Sequence, residues 1–333
     1  MERVLYLSSE EVRSLATPGA FVNAVREGYR QHGDGAPATM RYRLPSTEPG
    51  GLLTGYAAIL PETGVMGGYM YAAGFEPADV HFATPIFDAR TGRPLAVIDG
   101  AWMNPFKTGA AGAVAVDELA RDDATTLGLI GSGVQAAGQL QATSTVRPLE
   151  EVRVFSRTSE SREAFAAEFD RRLEPTVTPV ETSEAAIEGV DIVITATTSD
   201  TPVFDGEHLA DGTHVTAMGQ YHPTKREIDS TTVARSRYVI DLRGRLEADA
   251  GAYRMALEEG AIDEGHLHAE LGEVVAGEAE GRTDSRQITL FDSGGTGIET
   301  VAGAYLLYER ALEEDLGTEI DWFAGSEMMI GRP

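Results

Sequence analysis

The most constraining stretch of this chain begins at Thr125, where the apolar run TTLGLIG leads directly into GSGVQA and then into a helical pattern. A buried strand turning into a helix through Gly131-Ser132-Gly133-Val134-Gln135-Ala136 commits this part of the chain to a βαβ unit. The first glycine permits the tight turn, and the second lets backbone approach a ligand closely. Alanine in the third position is small enough for the helix to pack on the strand. The helix start then presents free N–H groups and a positive dipole end, which suit a phosphate. A second strand, EVRVFSR, follows about 20 residues on, the context in which such a loop binds a dinucleotide.

Where a site selects NAD, that second strand ends on Asp or Glu for the ribose 2′-hydroxyl. Here it ends on Ser156-Arg157-Thr158. A carboxylate would repel a 2′-phosphate, whereas hydroxyls flanking a guanidinium can bind one through charge-assisted hydrogen bonds. The expected cofactor is therefore NADP(H).

After this unit, TVTPV, DIVITAT, THVTAMG and YVIDL alternate with helical or loop segments, as a parallel sheet requires. The texture before it differs. Residues 9–31 follow helical spacing through Leu15, Phe21, Val22, Val25 and Tyr29. From Arg41 to Ile98, short apolar runs alternate with turn signals such as PETG and DARTG, predicting an antiparallel meander. Near the end SGGTGIETVAGAYLLYERALEEDL leads from a glycine-rich loop into a long helix. The expected fold class is α/β, with a Rossmann dinucleotide-binding domain at 120–298 inserted in an α+β substrate-binding and dimerisation domain built from 1–119 and 299–333.

Composition narrows the function. The chain has 333 residues and a formal net charge of −26, so nucleic acid and anionic membrane surfaces are not expected partners. No apolar run reaches the roughly 20 residues of a membrane span, and the first residues lack a signal-peptide pattern, so cytoplasm is the expected location. Without cysteine there is no disulfide, thiolate nucleophile or Cys-ligated metal. The 27 basic residues include only two lysines, Lys107 and Lys225. An acidic, arginine-for-lysine composition resembles that of proteins from extreme halophiles, where dense salt screens self-repulsion.

The runs DGAWMNPFKTGAAGAVAVDELA and LGLIGSGVQA, then DIVITATTSDTPVF, MGQYHPTKREID, LGEVVAGEAEGR and ITLFDSGGTGIETVAGAYLLYERA, resemble the ornithine cyclodeaminase/μ-crystallin family over roughly residues 40–315. That resemblance implies a homodimer and chemistry that passes through an imine: cyclodeamination, amino-acid dehydrogenation or ketimine reduction. It implies cofactor contacts from Gly131, Ser132, Gly133, Val134, Gln135, Ser156, Arg157, Thr158, Thr197, Thr198, Met218, Gly219, Lys225, Ser293 and Gly294. Family members hold the substrate carboxylate with an Arg, a Lys and a second Arg. The matching positions here are Arg41, Met70 and Lys107, so the middle cation is missing and a point charge replaces the second guanidinium fork. Cyclodeaminases also carry an Asp in the loop where this chain has Tyr221, which disfavours ornithine cyclodeamination and leaves the imine-reductase branch.

Reducing an imine needs a hydride at carbon and a proton at nitrogen. Lys107, Tyr221 and His222 are the candidate donors, His222 being the acid best tuned near neutrality. Tyr69, Met70 and Tyr71 are expected to line an apolar pocket. His266, His268 and Glu270 in HLHAE read as a solvated helical face, and no metal site is expected. The expected activity is NADP(H)-dependent reduction of a small imine or ketimine, or the reversible oxidation of an amino acid. The alternatives are a non-enzymatic NADPH-binding protein of the μ-crystallin kind, motivated by the altered carboxylate clamp, and ornithine cyclodeaminase proper.

Overall fold

In a computed structural model of the chain, residues 2–48, 50–75, 80–323 and 325 are described. The chain divides into two compact units, one of residues 1–107 with 296–333 and the other of residues 108–295. The boundary falls earlier than the sequence pattern suggests, inside a helix that the texture of TGAAGAVAVDELA assigns as a whole to the first domain.

The first unit starts with strand β1 (Glu2–Leu7), helices α1 (Ser9–Leu15) and α2 (Pro18–Gly33), and strands β2 (Tyr42–Thr47), β3 (Gly50–Leu60), β4 (Val65–Ala73), β5 (His81–Asp88) and β6 (Pro94–Asp99). β2 to β6 form the antiparallel meander expected from the turn signals. β1 pairs parallel to β6, and Thr318–Trp322 adds an antiparallel strand outside β1. These two strands were not legible, because each is short and its partner is remote in sequence. α1 opens on a capping box in which Ser8 and Glu11 satisfy each other's backbone N–H. One sheet face is covered by α2 and the closing helix Gly297–Glu313. Close approach explains the glycines of that helix: a methyl at Gly297 would collide with the Ala57 backbone, and one at Gly303 with the Phe21 ring.

In the second unit helix α3 (Met103–Leu119) contributes its residues from Thr108 onward. Eight strands then form one parallel sheet, with α4 (Val134–Thr143) and α5 (Ser159–Asp170) among the crossover helices. The strands are β7 (Thr126–Ile130), β8 (Glu151–Phe155), β9 (Thr176–Pro179), β10 (Ile192–Thr195), β11 (His214–Ala217), β12 (Ser236–Ile240), β13 (Leu267–Glu270) and β14 (Ile288–Asp292). Their spatial order is β13-β12-β14-β11-β10-β7-β8-β9, so strand order reverses between β7 and β10, the topological switch of a doubly wound sheet. Alternate residues of β10 feed opposite cores: Ile192 and Ile194 join Leu127 and Val152, while Val193 joins Val215 and Leu290. Burial on both faces explains why the central strands β7 (TLGLI) and β10 (IVIT) read as apolar runs.

HLHAE lies mostly in β13, not in a helix. His266 Nε2 bonds the Val233 carbonyl of the helix Ser230–Arg235, and His268 Nε2 bonds the Glu280 carbonyl in the segment before β14, so both rings tie neighbouring segments together. Among the described residues, no cluster of acidic or histidine side chains could hold a metal ion, and no helix is long and apolar enough to cross a membrane.

Candidate active site

At the carboxyl ends of β7, β8 and β10 lies a cleft of about 300 Å³. Gly131, Ser132 and Gly133 form its floor, Ser156, Arg157 and Thr158 one side, and Ala196 to Ser199 the other. Gly131 has φ 125°, a conformation that favours glycine, and a Cβ there would collide with the Ala196 carbonyl. Gly133 begins α4 with no side-chain cap, so the first-turn N–H groups receive no internal acceptor from that residue. Ser132 Oγ donates to Ser156 Oγ at 3.0 Å, joining the turn to the end of β8. No carboxylate is among the cleft-lining residues. An uncapped helix start, a glycine turn and a wall free of acid fit a phosphate-bearing dinucleotide.

Behind this cleft sits Glu227, 2% exposed. Its Oε1 accepts the Thr197 N–H at 2.6 Å; Oε2 accepts the Gly219 N–H at 2.7 Å and the Thr195 hydroxyl at 3.0 Å. Burial pushes this carboxyl above the ordinary range, against the pull of those hydrogen bonds. Each oxygen accepts a backbone N–H, an arrangement that favours the carboxylate form. A second buried network holds the loop after β14. Asp241 accepts from Ser293 Oγ and from the N–H groups of Gly294 and Gly295, and Arg245 bridges Asp241, Asp249 and Asp292.

The first unit carries the other candidate site. Cross-strand register puts Tyr56 opposite Tyr69 and Thr54 opposite Tyr71, all on the face covered by helices. Lys107, 1% exposed, donates to Glu299 Oε1 at 2.8 Å and to the Tyr56 hydroxyl at 3.2 Å. The Tyr56 hydroxyl donates to that of Tyr69 at 2.8 Å, and Tyr29 donates to the second Glu299 oxygen at 3.4 Å. The Arg41 guanidinium lies 4.6 Å from the Tyr56 ring centre and donates to the Tyr71 hydroxyl at 2.7 Å. Burial pulls the Lys107 ammonium down, but the Glu299 carboxylate more than offsets this, so its proton is held above the ordinary lysine range. Burial drives the Tyr56 and Tyr69 hydroxyls far up, so both stay protonated donors.

The structure thus brings Arg41 and Lys107 together and leaves Met70 out. Met70 pairs with Gly55 on the opposite sheet face, 47% exposed, so the residues that fill the space beside Arg41 and Lys107 are Tyr69 and Tyr71. Thr197 and Thr198 join the glycine turn in one cleft, while Val134 and Gln135 occupy the first turn of α4. Met218 and Gly219 follow directly on β11, and Gly219 is tied to Glu227. Lys225 pairs with Asp200 at 2.8 Å. His222 Nδ1 accepts from the Thr224 hydroxyl at 3.2 Å, and Tyr221 is partly exposed. Glu299, Tyr56, Glu227 and Asp241 escaped the sequence reading. The signal for Glu299 was there: a carboxylate within the apolar run GIETVAGA must be buried and therefore partnered.

Known proteins share this architecture and sequence. Delta(1)-pyrroline-2-carboxylate reductase of Bacillus cereus is 34% identical over 236 residues, 71% of this chain and 72% of that protein. The structure of Thermococcus litoralis Delta(1)-pyrroline-2-carboxylate reductase in complex with NADH and L-proline superposes with a TM-score of 0.90 at 34% identity, over 95% of this chain and 100% of that one. An archaeal alanine dehydrogenase dimer with bound NAD gives a TM-score of 0.90 at 31% identity, over 97% and 100%. The family model for ornithine cyclodeaminase/mu-crystallin matches residues 6–315, and the chain belongs to that family.

Proposed function

We propose that this protein is a nicotinamide-dependent oxidoreductase acting on C–N bonds: it reduces a small imine or ketimine bearing a carboxylate, or oxidises the corresponding amino acid. The observation that carries this reading is the presence in one chain of an acid-free dinucleotide cleft and of a cluster in which half-buried Arg41 meets buried Lys107 and tyrosine hydroxyls. The names of its relatives, pyrroline-2-carboxylate reductase and alanine dehydrogenase, support the same chemistry. The bound cofactor would supply or accept the hydride. Arg41 would hold the substrate carboxylate, and one of Lys107, Tyr221 and His222 would donate the proton to the imine nitrogen. The Ser156–Thr158 edge favours NADP(H) over NAD(H), since Arg157 is exposed beside the cleft.

Two further features belong to this reading. The open face of β2–β4 exposes Tyr42, Leu44, Leu53, Ile59 and Met70, an apolar surface suited to pairing with a second copy as a homodimer. The charge of −26 with two lysines suits the cytoplasm of a salt-rich cell.

The test is cofactor oxidation in concentrated KCl, with cyclic imines and with keto acids plus ammonia or methylamine as substrates. Turnover should be faster with NADPH than with NADH. Arg157→Ala should lower kcat/KM for NADPH about tenfold to a hundredfold, the worth of a charge-assisted hydrogen bond of roughly 1.5–3 kcal/mol, and leave NADH nearly unchanged. A clear NADH preference would overturn the NADP(H) assignment, and tight binding without turnover on the whole panel would point to a binding protein.

A further inference from the structure

Glu227 is a buried carboxylate placed where two neighbouring strands of the parallel sheet end. Thr195 and Thr197 lie at the end of β10, and Gly219 lies just beyond β11. One carboxylate therefore fixes both loops, through the Thr197 and Gly219 N–H groups. Its main chain acts on the same wall, because the Glu227 carbonyl accepts the N–H of Val203, another cleft-lining residue. The fit is tight: a Cβ at Gly219 would collide with both the Glu227 carboxylate and the Thr197 carbonyl.

The charge is set apart from the neighbouring cations. Lys225 pairs with Asp200 and Arg226 with Glu259, while Arg245 is shared among Asp241, Asp249 and Asp292. Hydrogen bonds from two backbone N–H groups and a hydroxyl stabilise the carboxylate but bring it no full positive charge. In a sheet of this order a dinucleotide lies across the switch point, its adenine ribose read at the end of the second strand, here β8. The nicotinamide half then belongs to the side of β10 and β11, the side Glu227 organises. An oxidised nicotinamide ring carries a positive charge and a reduced one does not, so a fixed negative charge on that side distinguishes them.

We propose that Glu227 is a positioning residue for the nicotinamide half of the cofactor and that its charge makes the protein bind the oxidised form more tightly than it would without that charge. This rests on the nicotinamide reading above. It also concerns the direction of the reaction, because the relative affinity for the two cofactor forms sets the equilibrium between them on the protein.

The experiment measures dissociation constants for oxidised and reduced cofactor by fluorescence or calorimetry at pH 8 in concentrated KCl, with the full-length chain. E227Q keeps the shape but removes the charge and turns an amide NH2 toward a backbone N–H. It should weaken both forms, and it should weaken the oxidised form by about threefold or more beyond the reduced one. E227D keeps the charge while retracting it, and should lose affinity for both forms with the ratio held near that of the unaltered protein. A purely structural role would lower the melting temperature of E227Q and leave the ratio of affinities unmoved, which would overturn the proposal, as would an E227D ratio shifted as far as that of E227Q. If the unaltered chain bound neither form, the nicotinamide reading itself would fall; binding by the unaltered chain with an unmoved ratio would remove this inference alone.

Discussion

Lys107 and Glu299 form a buried ion pair whose partners are 192 residues apart. Such a pair contributes little against an apolar replacement, but removing one member strands the other charge, at a cost of about 3–5 kcal/mol. Lys107→Met should therefore both destabilise the fold by that amount in chemical denaturation and abolish imine turnover, while cofactor affinity stays within about twofold of the original. Glu299→Gln should keep much of the hydrogen bonding and lose less stability, about 1–3 kcal/mol. Equal melting temperatures for the Lys107→Met protein and the unaltered one would contradict this account. Lys107 stood out as a candidate in the sequence because the chain has only two lysines and this one falls in the family motif. The run GIETVAGA signalled that Glu299 is buried and partnered, but not with which residue, since nothing local announces a contact across that separation. Met70 shows the opposite limit: motif alignment located the strand, but a one-residue step in a strand changes the face.

At the level of elements, the glycine turn and α4 were readable because backbone geometry there is dictated by residue type. Gly131 must adopt positive φ, and Gly109 and Gly112 of α3 must let α4 approach, since a methyl at either would collide with Gly138 or Gln139. The links between neighbouring strands were not readable, because they are made by buried polar side chains. His214 in β11 illustrates this: its ring lies between the hydroxyls of Thr289 and Thr216, at 2.9 Å from each. Burial, then the charges of Arg282 and Arg147, hold its pKa well below the ordinary value of 6.5. The folded ring is neutral while the unfolded one protonates below that value. The unfolded state then binds the extra proton, so stability is present above pH 6.5 and is lost as pH falls below it, by about 1.4 kcal/mol per unit for this group. His214→Asn should flatten the fall in stability between about pH 6.5 and 5 by that slope, read from denaturation midpoints. An unchanged slope would mean that the ring is protonated in the fold.

For the whole molecule, the governing quantity is a net charge of −26. Screening lengths shrink from about 10 Å in 0.1 M salt to about 3 Å in 1 M, so repulsion among surface carboxylates should weaken steeply across that range. The melting temperature should rise continuously from dilute buffer to molar KCl, and an Arg157→Ala protein should rise in parallel because the effect belongs to the surface and not the cleft. A melting temperature independent of salt would show that the acidic surface carries no such burden. The α/β class and the antiparallel meander were visible from periodicity alone; the division at Lys107 was not, because a continuous helical pattern gives no sign of where packing changes sides.

The helix Gly297–Glu313 covers the sheet built from residues near the other end of the chain. On the ribosome, the meander, α2 and Lys107 therefore emerge long before the helix that buries them and the carboxylate that pairs with Lys107. The parallel sheet of residues 108–295 is complete while the first unit still waits for its last helix. Synthesis of Gly297–Glu313 is thus the event that closes the core around Lys107, and a nascent chain halted before Gly297 would carry a complete parallel sheet together with a first unit whose lysine still lacks its carboxylate.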